Sequence, residues 1–314
     1  MAIRICVFLS TVALYLLSGP AGSGSLFAKE MRLTPEEIVA AHLESLGSAE
    51  DLKSIKNRGM SGTVTVQFIQ GGAPGKMIGQ SLLVSAGSNL GIIMRYGALE
   101  YPGEHIAYNG DEVTVANISP GQRSPLADFI YRHHGLMKEG ILGGVLSLGW
   151  PLLDTEKSQA TLKGSRVKVE GQDLYQIDYI PERYMNDVRI KLFFEPDTFH
   201  HVRTEYRLIV HGEQALIAGK TYTVGAANAI TRNVGILDEV RDSVYVLTET
   251  FDNFKEMEFK KPNSSLIKKI TLPQNYSISY SVEGEGSTFL ARWDIKADQW
   301  ILNGKIDASF FKVQ

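Results

Sequence analysis

The sequence predicts a mainly β protein of the α+β class, built on antiparallel strands, and three observations carry that reading. Apolar and polar residues alternate with a period of two over most of the chain from Met60 onward. The links between alternating segments are short and rich in turn formers, and clear helix signals occur in two places only. Strict alternation gives each strand one dry and one wet face, as antiparallel sheets have, whereas buried parallel strands read as continuous apolar runs. Thirty glycines, with abundant Val, Ile, Tyr, Phe and Thr, favour the same class.

Residues 1–28 read as a secretory signal. Met1 to Arg4 carry one positive charge, Ile5 to Leu17 form an apolar core too short to span a bilayer, and Ser18 to Ala28 are small and turn-prone. Cleavage after Ser23 and cleavage after Ala28 both fit the small-residue rule. Either cut removes Cys6, the sole cysteine, so the exported chain is expected to have no disulfide, thiolate nucleophile or cysteine-ligated metal. Residues 29–314 are expected to form one domain, because no repeat or low-complexity linker divides them.

That domain opens with a helix. Thr34 caps it, Pro35 opens its first turn, Glu37 completes a capping box and Gly47 stops it. Ile38, Val39, His42, Leu43 and Leu46 form its apolar stripe, while Glu36 and Glu37 serve the cap and the helix dipole. The alternating segments follow. Val64, Val66 and Phe68 share a face, as do Leu90, Ile92, Met94 and Tyr96; later come Tyr175 to Tyr179, Val188 to Phe194, Val202 to Val210, Tyr276 to Val282 and Phe289 to Ile295. Glu170 to Asp173, Glu195 to Asp197 and Glu283 to Gly286 look like hairpin links. The pattern weakens between His211 and Ser243, which reads as an elaborated loop or small extra hairpin.

One interlude breaks the strand rhythm. From Ser124 to Leu153, a cap-like Ser124-Pro125 precedes Phe129, Ile130, His133, Met137, Ile141, Leu142, Val145 and Leu148 at helical spacing. Gly135, Gly140, Gly143, Gly144 and Gly149 interrupt it, and interior glycine costs about 1 kcal/mol relative to alanine. The segment is therefore expected to be a broken, loosely held helical piece, either a core helix packed closely through glycine or a cover over an apolar cavity.

Catalytic and metal motifs do not occur: there is no phosphate-cradling loop, nucleophile elbow, zinc helix or calcium loop. His133-His134 and His200-His201 are neighbours, so each pair points in divergent directions and cannot chelate one ion alone. His105 and His211 have no recognisable partner. Lys255, Lys260, Lys261, Lys268 and Lys269 cluster near a hairpin end but are mixed with Glu256 and Glu258, as in a solvated loop. With a net charge of -3, no nucleic-acid partner is expected, and neither is a cofactor or a transmembrane span in the exported chain.

Several phrases carry a resemblance. Ala107-Tyr108-Asn109-Gly110-Asp111, Leu192-Phe193-Phe194-Glu195-Pro196-Asp197-Thr198, Thr248 to Phe254 and Ile270-Thr271-Leu272-Pro273 resemble the LolA-like envelope proteins. That is the outer-membrane lipoprotein carrier superfamily, which includes the LolB-like and RseB-like folds. The resemblance extends over most of residues 34–295 and implies a strongly curved, incomplete antiparallel β-barrel whose apolar concave face is covered by helices, the cover lying at about 124–153. It also implies a periplasmic, non-catalytic protein that receives an acyl chain, a lipid or a lipoprotein. Val64, Val66, Phe68, Ile92, Met94, Phe129, Ile141, Leu142, Ile190, Leu192 and Tyr206 are then expected to line the cavity, positions that would equally suit an ordinary core. The length of the chain, the His211 to Ser243 stretch and a Lys260 to Ser265 insertion depart from a plain carrier. A sensor or protein-interaction module with a closed core, meeting an envelope partner, is the alternative.

Overall fold

The computed structural model describes residues 33–71, 75–116, 123–183, 187–211, 242–260, 266–284 and 288–313. The expected signal, the interior of the His211 to Ser243 stretch, Lys261 to Ser265 and the Glu285-Gly286 part of one expected link lie outside the described residues.

Thr34 caps α1 (Pro35–Leu46) as its capping box dictates: its hydroxyl accepts from the Glu37 amide at 3.2 Å and its own amide donates to Glu37 Oε2 at 2.7 Å. A second short helix, α2 (Ala49–Ser54), starts immediately after Gly47 under a Ser48 cap. The strands are β1 (Asn57–Gln70), β2 (Gly75–Ala86), β3 (Asn89–Tyr96), β4 (Gly103–Tyr108), β5 (Val113–Val115), β6 (Thr161–Val169), β7 (Gln172–Ile180), β8 (Val188–Phe194), β9 (His201–Val210), β10 (Ser243–Lys260), β11 (Ile267–Glu283) and β12 (Phe289–Leu302). All twelve belong to one sheet in the order β5-β4-β3-β2-β1-β12-β11-β10-β9-β8-β7-β6, every neighbouring pair antiparallel.

The order describes two meanders joined back to back. β1 to β5 step outward to one edge, β6 to β12 step back from the other, and β1 meets β12 in the middle, pairing Val64 with Ile295 and Val66 with Trp293. The turn at Glu170-Gly171 shows the local logic: both residues have positive φ, 51° and 90°, as a two-residue hairpin matched to right-handed strand twist requires.

Topology also fixes the cover. The chain that leaves edge strand β5 must reach the opposite edge strand β6, and residues 123–160 of that passage pack on the buried face of the open, curved sheet. This passage contains α3 (Pro125–Arg132), α4 (Gly135–Lys138), single 3₁₀ turns at Gly144–Leu146 and Pro151–Asp154, and α5 (Thr155–Ser158). The helical piece expected from the sequence is broken as expected but not loosely held, since Leu136, Met137, Ile141, Leu142, Val145 and Leu146 are at most 2% exposed; Ser124 caps α3, its hydroxyl accepting from the Ala127 amide at 2.9 Å.

One continuous apolar core joins α1, the cover and the inward strand residues, and a smaller one beneath α2 gathers Ile55, Phe259, Ile270 and Leu272. Alternation fails in β3, where Ile92 and Ile93 are both buried. The reason lies at the carboxyl end: the 3₁₀ turn Ala308–Phe311 lies on the outer face of β3 and β4, with Phe310 O so close to Gly91 that an added Cβ would sit 2.4 Å away.

Candidate functional site

The cover bends where its glycines stand. Gly140 has φ of 76°, and a Cβ there would lie 2.0 Å from Gly149 O, so the two arms of the bend touch through bare backbone. Gly143, also left-handed at φ 82°, leads into the first 3₁₀ turn and presents its N–H to the sheet. A bend of this kind strands backbone polar groups inside an apolar core, where each unmade hydrogen bond costs about 1–3 kcal/mol. The sheet supplies their partners.

Glu249, in the middle of β10 and wholly buried, accepts from the Gly143 amide at 2.8 Å and from the Tyr276 hydroxyl on β11 through Oε1. Its Oε2 lies 2.5 Å from Tyr206 Oη on β9, which is also 3.1 Å from Ile141 O of the cover. Arg58 of β1, buried as well, donates to Val145 O at 2.8 Å, and Ser85 Oγ accepts from the Leu148 amide at 2.8 Å. Glu104 of β4 is the second buried carboxyl. It accepts from Tyr101 at 2.6 Å, Trp293 donates to that Tyr101 oxygen at 2.8 Å, and the Ser124 hydroxyl, the cap of α3, completes the group. At the outer end of α4, Tyr179 of β7 donates to Glu139 at 2.5 Å.

Burial governs the charge of these groups. It pushes the Glu249 and Glu104 carboxyls each up to about 7, against the pull of their hydrogen-bond donors, and raises Glu139 in the same direction. The same desolvation lowers Arg58 to about 10. His42 of α1, pressed against Trp150, Phe194 and His201, is lowered by burial to about 3, and His201 falls in the same direction; both are neutral core residues. Among the described residues no cluster of three metal-ligating side chains occurs.

The structure brings the residues expected to line the cavity together in one cluster. Val64, Val66, Ile92, Met94, Phe129, Ile141, Leu142, Ile190, Leu192 and Tyr206 are at most 3% exposed, and Phe68 is half-buried at the rim. Such values mean that their surfaces face neither solvent nor a void large enough to admit much water. Those on the strands and those on the cover are packed against one another.

Open apolar space lies instead at the margin of the cover. A groove of about 790 Å³ runs between α1 and α2 on one side and the cover on the other, lined by Leu43, Leu52, Ile55, Leu148 and Leu153, with Lys53 and Lys56 also on its wall. A second recess of about 610 Å³ shares Gly87, Leu148 and Leu153 with it and extends toward Trp150, Pro151 and Arg183. In the lysine cluster Lys268 pairs with Asp51 of α2 at 3.0 Å and Lys269 with Glu256 at 2.8 Å.

Sequence reasoning named Leu43 for the first helix and Leu148 for the cover but missed Leu52, which sits in a helix of six residues that leaves no periodic trace. It also missed Glu104 and Glu249, although a signal existed. Glu249 occupies the inward phase between Leu247 and Phe251, and Glu104 shares its phase with Ile106 and Tyr108.

The twelve-stranded, open and curved antiparallel sheet agrees with the incomplete barrel expected from the sequence. No known protein family and no curated protein matches the chain. Among solved structures, the chain is similar to a DUF1329 family protein from Desulfovibrio piger, at 12% identity over 88% of this chain and 95% of that one with a TM-score of 0.36. It is similar also to a chain of the Pseudomonas aeruginosa MucA/MucB complex (11% identity, 83% and 93% coverage, TM-score 0.20) and to the Mycobacterium tuberculosis lipoprotein LppX (13%, 55% and 87%, TM-score 0.21). No helix among the described residues is long and apolar enough to cross a membrane.

Proposed function

We propose that the protein is an exported, periplasmic, non-catalytic binding protein that takes up an acyl chain, either of a free lipid or of a lipid-modified protein, and hands it on. The single observation that carries this reading is the apolar groove at the margin of the cover, walled by Leu43, Leu52, Ile55, Leu148 and Leu153. Its volume falls within the range of ordinary ligand sites, about 300–1,000 Å³. Burying six methylenes there is worth about 5 kcal/mol, so affinity needs no reacting group. The eleven residues first expected to line the cavity are then the inner wall, reached as the cover moves away from the sheet. Export rests on the pattern of residues 1–28.

A second reading has an observation of its own. The near-complete burial of ten of those residues suits a module with a closed core that meets an envelope protein through its surface. Organic extraction of the secreted form, followed by mass spectrometry and titration with a fluorescent fatty acid, separates the two. Co-purifying acyl chains and uptake that drops at least tenfold in Leu52→Asp support the carrier. A lipid-free protein without measurable uptake supports the module.

A further inference from the structure

Glu104 and Glu249 stand on opposite halves of the sheet, in β4 and β10, and both end on the same object, the cover. We propose that these two buried carboxyls are a proton-controlled latch, which holds the cover against the sheet while they are protonated and frees it when they ionise. The inference deepens the proposed function, because what the freed cover exposes is the inner wall of that reading. The latch itself is defined, and tested, without ligand.

The hydrogen-bond geometry distinguishes the two protonation states. In the neutral state Glu249 Oε1 accepts from the Gly143 amide and the Tyr276 hydroxyl, its own proton goes to Tyr206 Oη, and Tyr206 passes its proton to Ile141 O. Every group in that chain is satisfied. Tyr206 has a single proton. In the ionised state that proton turns to Glu249 Oε2, Ile141 O loses its donor, and a full charge lies in a wholly buried position. The groups that face it are Tyr206 and Thr204 from β9, Tyr276 from β11 and the Gly143 amide from the cover, none of them a cation; the nearby His201 is kept neutral by burial. Glu104 is a second buried carboxyl against the cover, without such a relay: Tyr101, from the link after β3, and Ser124, at the head of α3, donate to it, Trp293 donates to the Tyr101 oxygen, and Tyr96 of β3 stands nearby, none of them a cation. A buried charge that lacks an opposite charge is costly, so ionisation favours whichever state lets water in.

Both carboxyls titrate near 7 when the cover is closed, above the ordinary carboxylate value of 4.5. A raised value means that the closed state gains most below 4.5 and loses that gain as the pH rises through about 7. Each carboxyl shifts the closed-to-open ratio by up to about tenfold per pH unit in that window.

Hydrogen exchange on the secreted full-length form, read by mass spectrometry and divided by the intrinsic rate at each pH, tests the latch. Between about pH 6 and about pH 8, protection of cover peptides spanning residues 136–148 should fall by about ten- to a hundredfold, while β8 stays protected. The double variant Glu104→Gln, Glu249→Gln, whose amides imitate the protonated acids, should show little pH dependence; Glu249→Gln alone should reduce the slope and stands in if the double variant does not fold. Cover protection independent of pH in the unaltered protein overturns the latch. So does a slope that the glutamine variants leave intact, or a parallel loss in β8, which would mark loosening of the whole fold.

Discussion

The inner side of the cover and its margin are built on opposite plans. On the inner side each bend of the backbone meets a polar group sent from the sheet: Glu249 for Gly143 N, Tyr206 for Ile141 O, Arg58 for Val145 O, Ser85 for Leu148 N. At the margin the groove is walled chiefly by half-buried leucines. The difference separates two tasks that the sequence merges. Directional partners within an apolar core fix where the cover rests, whereas non-directional apolar contact suits a surface that receives a ligand of varying length.

The largest expected effect sets the two sides directly against each other. Leu142→Asp removes a fully buried side chain and places an unpaired charge in the core, and should cost about 4 kcal/mol or more in urea unfolding. Leu153→Asp, at the half-buried margin, should cost under about 1 kcal/mol while weakening fatty-acid uptake. Equal losses of stability in the two variants would erase the distinction between a holding side and a receiving side.

A smaller effect sharpens the polar half of the comparison. Tyr206→Phe keeps the ring but takes away the donor that bridges Glu249 and Ile141 O, and should cost about 2 kcal/mol at neutral pH. In acid the protonated Glu249 hands its proton to Tyr206, so the variant leaves both that proton and Ile141 O without a partner, and the loss should be at least as large as at neutral pH. Chemical denaturation of the unaltered protein and the variant at two pH values reads this directly. A penalty that vanishes in acid would assign the network a different ionic state.

Much of the fold was legible because period-two alternation and turn chemistry are local. Val64, Val66 and their facing residues in β12 declare an inward face without knowledge of their partners, and Thr34, Ser124 and Gly47 mark helix ends within four residues of sequence. What escaped depends on long-range placement. That Val64, Ile190 and Leu142 are packed tightly rather than set around a void is a matter of how far the cover sinks, which no periodicity encodes. The groove needs α2 to lie beside Leu148, a contact between segments about a hundred residues apart. Glu104 and Glu249 lay in plain view as charged residues in apolar phase, but their meaning emerges only once the cover's unsatisfied backbone is seen above them.

The smallest effect belongs to the third carboxyl. Glu139 meets the Tyr179 hydroxyl at 2.5 Å, as Glu249 meets Tyr206, yet it stands at the outer end of α4, where solvent reaches it. Burial raises it, so its contribution has the same sign as that of the two inner carboxyls: present in acid and lost as the pH climbs above the ordinary carboxylate range. Water screens it, however, and a partly exposed group exchanges its protein partner for solvent at little cost. Glu139→Gln should therefore move the pH profile of cover protection far less than Glu249→Gln does, though both lose one carboxyl beside one tyrosine. If the two variants flattened the profile equally, burial would not be what makes the latch, and its control would have to be sought in the Tyr–Glu pairs themselves.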